Sequence, residues 1–311
     1  MIAKGFLEDF QEALETHPRR LSPKYFYDAA GSALFDRICE LPEYYPTRTE
    51  LRLLSAHAGE IATLAGENAE IVEFGAGSLH KIRLLLDALV RPRRYIPIDI
   101  SASHLKAAAE TLQRDYADLD IVPIIADYTE AFALPGQHKD GVAGRRLGFF
   151  PGSTLGNLAP EAALGFLARA REMLRGGCML LGVDLIKDPA VLHAAYNDSA
   201  GVTAAFNLNL LERANRELGT DFDPSGFLHG AFYNSPLRRV EMHLMSRRHQ
   251  TVRLAGKTYA FEEGETLHTE NSYKFTVTGL QDLAERAGFR PQRVWTDSER
   301  FFSLHWLEAR P

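Results

Sequence analysis

Apolar residues along this chain recur first at helical intervals and then, from residue 71, in short continuous runs that alternate with helical stretches. Phe6, Phe10, Ala13 and Leu14 predict a first helix that Pro18 ends. A second amphipathic helix is predicted from about Gly31 to Cys39. A third begins at Thr47, with Glu50 as its capping-box partner, and runs through Leu51, Leu54 and His57 to about Leu64. The runs Ile71 to Phe74, Tyr95 to Asp99, Ile121 to Ile125, Leu147 to Phe150 and Cys178 to Asp184 predict strands. Helices Leu79 to Leu89, Ala102 to Tyr116 and Glu161 to Leu174 lie between them.

This alternation predicts an α/β fold, a doubly wound, mostly parallel sheet. Helix Thr278 to Ala287 and strands Arg290 to Thr296 and Phe301 to Glu308 add a closing antiparallel pair, an arrangement of methyltransferases rather than dehydrogenases. Between Ile186 and about Thr276 the texture changes. A long helical pattern, Ala200 to Leu218, precedes strand-like segments Arg239 to Met245, Gln250 to Leu254, Lys257 to Phe261 and Thr266 to Phe275, whose charged residues suit a sheet with one wet face. The expected organisation is N-terminal helices at the cleft (1–66), a Rossmann-like domain (67–186 and 277–311) and an inserted α+β substrate domain (187–276).

The 311 residues are 45% hydrophobic and 24% charged, long enough to bury a substantial core. A formal net charge of −6 argues against a nucleic-acid or anionic-membrane surface and favours a small-molecule partner. The N-terminus shows no apolar leader core, and no run is long enough to span a bilayer. Cys39 and Cys178 are expected as buried free thiols in a reducing cytoplasm, and a monomer is favoured. Eleven histidines show no metal-ligand spacing. His243, His249 and His268 are scattered through a polar sheet, and no metal is expected.

The chemistry concentrates at Ile71-Val-Glu-Phe-Gly-Ala-Gly-Ser-Leu-His80, a strand, a glycine turn and a helix start. Gly75 and Gly77 let the backbone approach a ligand at a helix N-terminus. His80 stands where a dinucleotide fingerprint needs a third glycine, so the turn resembles that of S-adenosylmethionine (SAM) dependent methyltransferases. Asp99, ending the second strand, suits ribose hydroxyls; capping the next helix is the rival role, which Ser101 can fill. Asp127 and Tyr128 can accept an adenine amino group and flank its ring, with a plain turn aspartate as the alternative. Lys81 sits where the helix dipole does not favour a cation, so an anionic ligand tail explains it better. Asn157, in the Gly152 to Leu158 loop, can hold an acceptor, although a turn role is the better reading of Asn157 alone. Tyr27 and Tyr44 are equally readable as packing residues.

Six separated stretches carry a more specific likeness: Lys24 to Asp28, Leu41 to Glu50, Glu73 to Ser78, Gly152 to Leu158, Tyr196 to Asn207 and Thr269 to Phe275. Together they resemble the L-histidine Nα-methyltransferase family of ergothioneine biosynthesis, from about residue 20 to the C-terminus. The resemblance implies transfer of three methyl groups from SAM to the α-amino nitrogen of L-histidine, giving hercynine. It implies SAM contacts at Tyr27, Gly75, Lys81, Asp99, Asp127 and Tyr128. It assigns Tyr44, Asn157 and Tyr196 to the amino-acid backbone, Glu270 and Ser272 to the imidazole, and Met242 to the side-chain pocket, with Tyr27, Tyr44 and Asn157 as the residues around the reacting amine. Departures are small: Phe74 and Ala76 in the turn, and Leu79-His80 after it. The alternatives are a same-scaffold N-methyltransferase for another amino acid or amine, and a SAM-binding module without catalysis.

Overall fold

The computed structural model describes residues 3–77, 79–136 and 144–310; Ser78 of the glycine motif lies outside the described residues. In chain order the elements begin α1 (Ala3–Glu15), β1 (Arg19–Arg20), α2 (Ala29–Glu40), α3 (Tyr45–Ala65), β2 (Glu70–Phe74), α4 (Leu79–Ala88), β3 (Arg94–Asp99) and α5 (Ala102–Asp115). They continue with β4 (Asp120–Ile121), β5 (Ile124–Ile125), β6 (Arg146–Phe150), α6 (Pro160–Met173), β7 (Cys178–Asp184), α7 (Pro189–Tyr196) and α8 (Val202–Leu218). The remainder is β8 (Phe227–Asn234), β9 (Arg239–Ser246), β10 (Gln250–Leu254), β11 (Lys257–Phe261), β12 (Thr266–Tyr273), α9 (Val277–Arg286), β13 (Phe289–Thr296) and β14 (Phe302–Ala309).

The chain forms two compact units, Met1–Tyr45 with Lys187–Tyr273 and Pro46–Ile186 with Lys274–Pro311. This division differs from the sequence-based one at the N-terminal side. Almost all of α3 belongs to the second unit, because Leu53, Leu54, Ile61, Ala62 and Ala65 pack with Ile71, Ile82 and Trp306. Residues up to 45 group instead with the inserted segment.

The second unit is an α/β doubly wound sheet of order β13-β14-β7-β6-β2-β3-β4, with β5 also on β3. Its strands are parallel except β14, which runs antiparallel to both β7 and β13. Two apolar cores cover the unit's sheet, one including α3 and α4 residues, the other α6 and α9 residues. The strand predicted from Ile121 to Ile125 is two short pairings on β3, broken around Pro123, which has no N–H for a ladder. Ser101 precedes α5 but its side chain makes no cap; the Asp99 carboxylate accepts the Ser101 N–H at 2.7 Å. At the point where the chain leaves and re-enters this unit, Leu185 and Phe275 form a parallel bridge. There Lys274 and Asp184, each side chain 1% exposed, form an ion pair of 2.8 Å.

In the first unit, β1-β12-β9-β8 form one sheet and β10-β11 a hairpin. Its turn places Ala255 and Gly256 at φ 50° and 79°. Asp28 caps α2 by accepting the Gly31 N–H at 2.7 Å. Strand β12 carries a bulge: His268 pairs with His243 and Glu270 with Met242, so Thr269 is the extra residue. Fully buried Thr269 shares its one hydroxyl hydrogen between Asn207 Oδ1 at 2.8 Å and the Met242 carbonyl at 3.1 Å, which pins the bulge to α8. Beyond the bulge, Glu270 and Ser272 share a face with their partners Met242 and Val240. Strands β8 and β9 expose Leu228, Phe232 and Met245, an apolar strip with no warning in the periodicity.

Strand β2 is buried along its whole length although it carries two carboxylates. Glu70 is paired by Arg94 at 3.4 Å and Arg146 at 3.3 Å. Glu73 accepts the Tyr95 hydroxyl, and burial pushes its carboxyl up to about 8, against the opposing pull of Tyr95 and Lys81 and with help from Asp99 and Glu50. A carboxyl raised on folding binds more protons in the native state, so its contribution is full below the unfolded value and declines as pH rises toward 8. Urea unfolding of Glu73→Gln between pH 5 and 8 should therefore show a stability advantage over the unsubstituted protein that grows with pH. A constant difference across that range would contradict the buried, protonated carboxyl.

Candidate active site

The carboxyl ends of β2, β3 and β5 place Gly75, Asp99, Asp127 and Tyr128 at the same edge of the second unit's sheet. Gly75 has φ +74°, and a Cβ there would stand 3.4 Å from the Tyr128 ring. The amides of Gly75 and Ala76 donate to the Ile98 carbonyl at 2.9 and 3.0 Å, tying the turn to β3. Burial raises the Asp99 carboxyl, moderated by backbone N–H groups and His104. Asp127 accepts the amide and hydroxyl of Thr129, the turn role anticipated as its alternative. The Tyr128 ring packs edge-on to Phe150 and Phe166, at 5.4 and 5.7 Å, and burial holds its hydroxyl well above the usual phenol range.

Lys81 and Asn157 belong to the same unit. Lys81, in the first turn of α4, meets Glu50 at 2.6 Å. Glu50 is not a capping-box residue, because α3 starts at Tyr45, two residues before the predicted Thr47; Glu50 therefore sits a full turn inside the helix and is fully buried. Its two oxygens accept the Gly152 N–H at 3.0 and 2.9 Å. Gly152 and Ser153 are both left-handed, at φ 80° and 58°, and lead into the 3-10 turn Thr154–Asn157, which half-buried Asn157 ends. Ser153 Oγ accepts the Asp184 N–H at 2.9 Å.

The remaining residues singled out from sequence lie in the first unit: Tyr27, Tyr44, Tyr196, Met242, Glu270 and Ser272. Tyr27 ends the 3-10 turn Pro23–Phe26. Edge-on ring contacts run from Tyr27 to Phe35, from Phe35 to Tyr44 and from Tyr44 to Tyr196, at 5.8, 6.3 and 6.4 Å. Burial raises the Tyr44 hydroxyl well above its ordinary value, reinforced by Tyr196, Cys39, Glu270 and Tyr27, so it stays protonated at any physiological pH. Tyr196 donates its hydroxyl to Ser272 Oγ at 2.7 Å, so it touches both Tyr44, expected at the amino-acid backbone, and Ser272, expected at the imidazole. Its carbonyl is bonded by His229 Nε2 at 2.9 Å, and Asn207 holds the other ring nitrogen of His229 at 2.9 Å. Glu270 is 9% exposed and Met242, opposite it on β9, is buried.

Sequence reasoning missed Glu50, Phe35, Phe206 and Asn207. Phe206 touches Phe26, Tyr27 and Phe35, so it underlies the tyrosine row. The Tyr196 to Asn207 stretch had marked this region without assigning those two residues a task. His243 and His268, read as scattered, come together with Glu241 across β9 and β12. Their rings stack nearly parallel, with centroids 4.5 Å apart and planes at 18°, so no ion can lie in both ring planes without a ring turning. Burial brings His268 down to about 4 and lowers His243, leaving both neutral. Cys178 is a buried free thiol as expected, whereas Cys39 is half-buried. Among the described residues no helix is long and apolar enough to cross a membrane.

The family described as histidine-specific methyltransferase, SAM-dependent, matches residues 6–309. Histidine N-alpha-methyltransferase of Mycolicibacterium smegmatis is 42% identical over 308 residues, 97% of this chain and 94% of that protein. Its namesake in Mycobacterium tuberculosis is 42% identical, over 95% of this chain and 92% of that one. Ergothioneine biosynthesis protein 1 of Neurospora crassa is 31% identical over 86% of this chain, which corresponds to 32% of the fungal protein. The glycine turn, the acidic strand ends and the buried pair on β12 are thus features of a chain that belongs to the SAM-dependent histidine-specific methyltransferases.

Proposed function

We propose that this enzyme trimethylates the α-amino nitrogen of L-histidine to hercynine, the methylation of ergothioneine biosynthesis. The observation that carries the reading is the pairing of Glu270 and Ser272 on one face of β12, with Tyr196 donating to Ser272. A serine oxygen that accepts from Tyr196 keeps its own hydrogen to donate, while a carboxylate only accepts. Together they read an imidazole with one protonated and one bare nitrogen. A ligand without that ring offers no N–H to the carboxylate and no bare nitrogen to the serine, which is how strong discrimination against isosteres arises. Met242 beside Glu270 supplies apolar contact to the ring carbons.

The residues of the second unit suit SAM. Gly75 lies where a side chain would press on the Tyr128 ring, and acidic groups end β3 and follow β5. In this reading Asp99 takes the ribose hydroxyls, Asp127 and Tyr128 the adenine, Gly75 the close backbone approach and Lys81 the carboxylate tail. The bound cofactor supplies a methyl group already activated by its sulfonium. Tyr44 holds the substrate amine, and Tyr27 and Tyr44 wall the space that must accept growing bulk. Because burial keeps the Tyr44 hydroxyl protonated, it orients the amine by hydrogen bonding and is not the base; the amine's proton goes to water or a weak base. The proposed setting is a cytoplasmic monomer, supported by two free thiols and an acidic net charge.

Purified enzyme incubated with SAM and each of the twenty amino acids should yield, by mass spectrometry, a product heavier by three methylenes with histidine alone. Equal product with another amino acid or amine would move the substrate assignment. Glu270→Gln should lower kcat/KM for histidine by about 100-fold or more while the affinity for S-adenosylhomocysteine changes less than about twofold. Parallel losses in both would contradict the pocket assignment.

A further inference from the structure

Glu50 is fully buried, yet nothing in the chemistry above uses it. Three separate parts of the second unit converge on its carboxylate. The Gly152 amide donates to both oxygens, the Lys81 ammonium lies 2.6 Å from Oε2, and a Cβ on Gly182 of β7 would stand 2.0 Å from Oε1. The carboxylate therefore occupies space that only a glycine on β7 leaves open. A Cβ on Gly152 would itself stand 3.3 Å from Lys81 Nζ, so loop and ammonium are packed on each other as well as on Glu50.

A lysine ammonium is a point charge on a flexible stem, with three donors and no fixed direction. Without a partner it would be free to swing away; paired on one side, it keeps its remaining donors in a defined place. We propose that Glu50 is a positioning residue for the methyl donor, holding the Lys81 ammonium and the Gly152 loop in the arrangement that receives the donor's carboxylate tail. The proposal rests on the reading of Lys81 as the contact to that tail. It makes the start of the loop that ends in Asn157 and the first turn of α4 a single preorganised element, so that binding the tail does not have to order either one.

Calorimetric titration with two probes tests this: S-adenosylhomocysteine, and 5′-deoxy-5′-methylthioadenosine, which has the same nucleoside but no amino-acid tail. Glu50→Gln should weaken S-adenosylhomocysteine about tenfold or more and change methylthioadenosine less than about twofold. Lys81→Met should give the same selective loss, and the double variant should lose no more than Lys81→Met alone. Gly182→Ala, which pushes the carboxylate off its seat while keeping its charge, should reproduce the selectivity and carries the test if Glu50→Gln does not fold. Parallel loss of both probes, or unchanged S-adenosylhomocysteine binding in Glu50→Gln, overturns the proposal while Lys81→Met still shows its selective loss. No effect of Lys81→Met overturns the proposal and the Lys81 reading together.

Discussion

A carboxylate removed from water must be answered by a cation, by hydrogen-bond donors or by a proton, because the uncompensated charge costs several kcal/mol. This chain buries carboxylates repeatedly and answers them differently. Glu70 is met by two arginines, Asp184 by Lys274, Glu50 by an ammonium and an amide, and Glu73 by a tyrosine and a retained proton. The answers by ion pair fix the ends of strands and loops. Glu73, on the fully buried strand β2 beside the glycine turn, shows the same constraint resolved without a full charge.

In the proposed reading the two units divide the chemical work. The second is an open sheet whose parallel strands deliver acidic side chains and a glycine turn to one edge, where an adenosyl group would find acceptors for its hydroxyls and amine. The first is a small sheet whose helix-covered face carries a carboxylate, a hydroxyl and a thioether at consecutive paired positions. The bulge at Thr269 matters here. Were Thr269 paired with Met242 in a regular ladder instead of bulged, Glu270 and Ser272 would fall on the opposite face and point away from Met242. The hydrogen bonds from Thr269 to Asn207 and from Asn207 to His229 tie this register to α8, so in the proposed reading residues that need not touch substrate hold the pocket's register.

Elements with a strong local signal were legible in the sequence. The continuous apolar run Cys178–Asp184 and the hairpin strands Gln250–Leu254 and Lys257–Phe261 have the limits that their patterns predict. Helix α7 was missed although Asp188-Pro189 is a cap followed by proline, and β8 was missed because Gly230 and two polar residues interrupt its alternation. Glu50 was misread for a physical reason: Thr47-x-x-Glu50 satisfies the capping-box pattern, and only the start of α3 at Tyr45 reveals it to be interior. The residue types at the candidate site were readable through the resemblance. The bulge that orients Glu270, the Tyr196 to Ser272 bond and the stacked histidines depend on pairing between distant segments, which periodicity along one strand does not encode.

Whether β12 reads the imidazole can be seen in a crystal structure with L-histidine and S-adenosylhomocysteine bound. One ring nitrogen should lie within hydrogen-bond distance of the Glu270 carboxylate and the other within reach of Ser272 Oγ, with the α-amino group turned away from β12. An imidazole bound elsewhere, with Glu270 and Ser272 facing only water or protein, would contradict this reading.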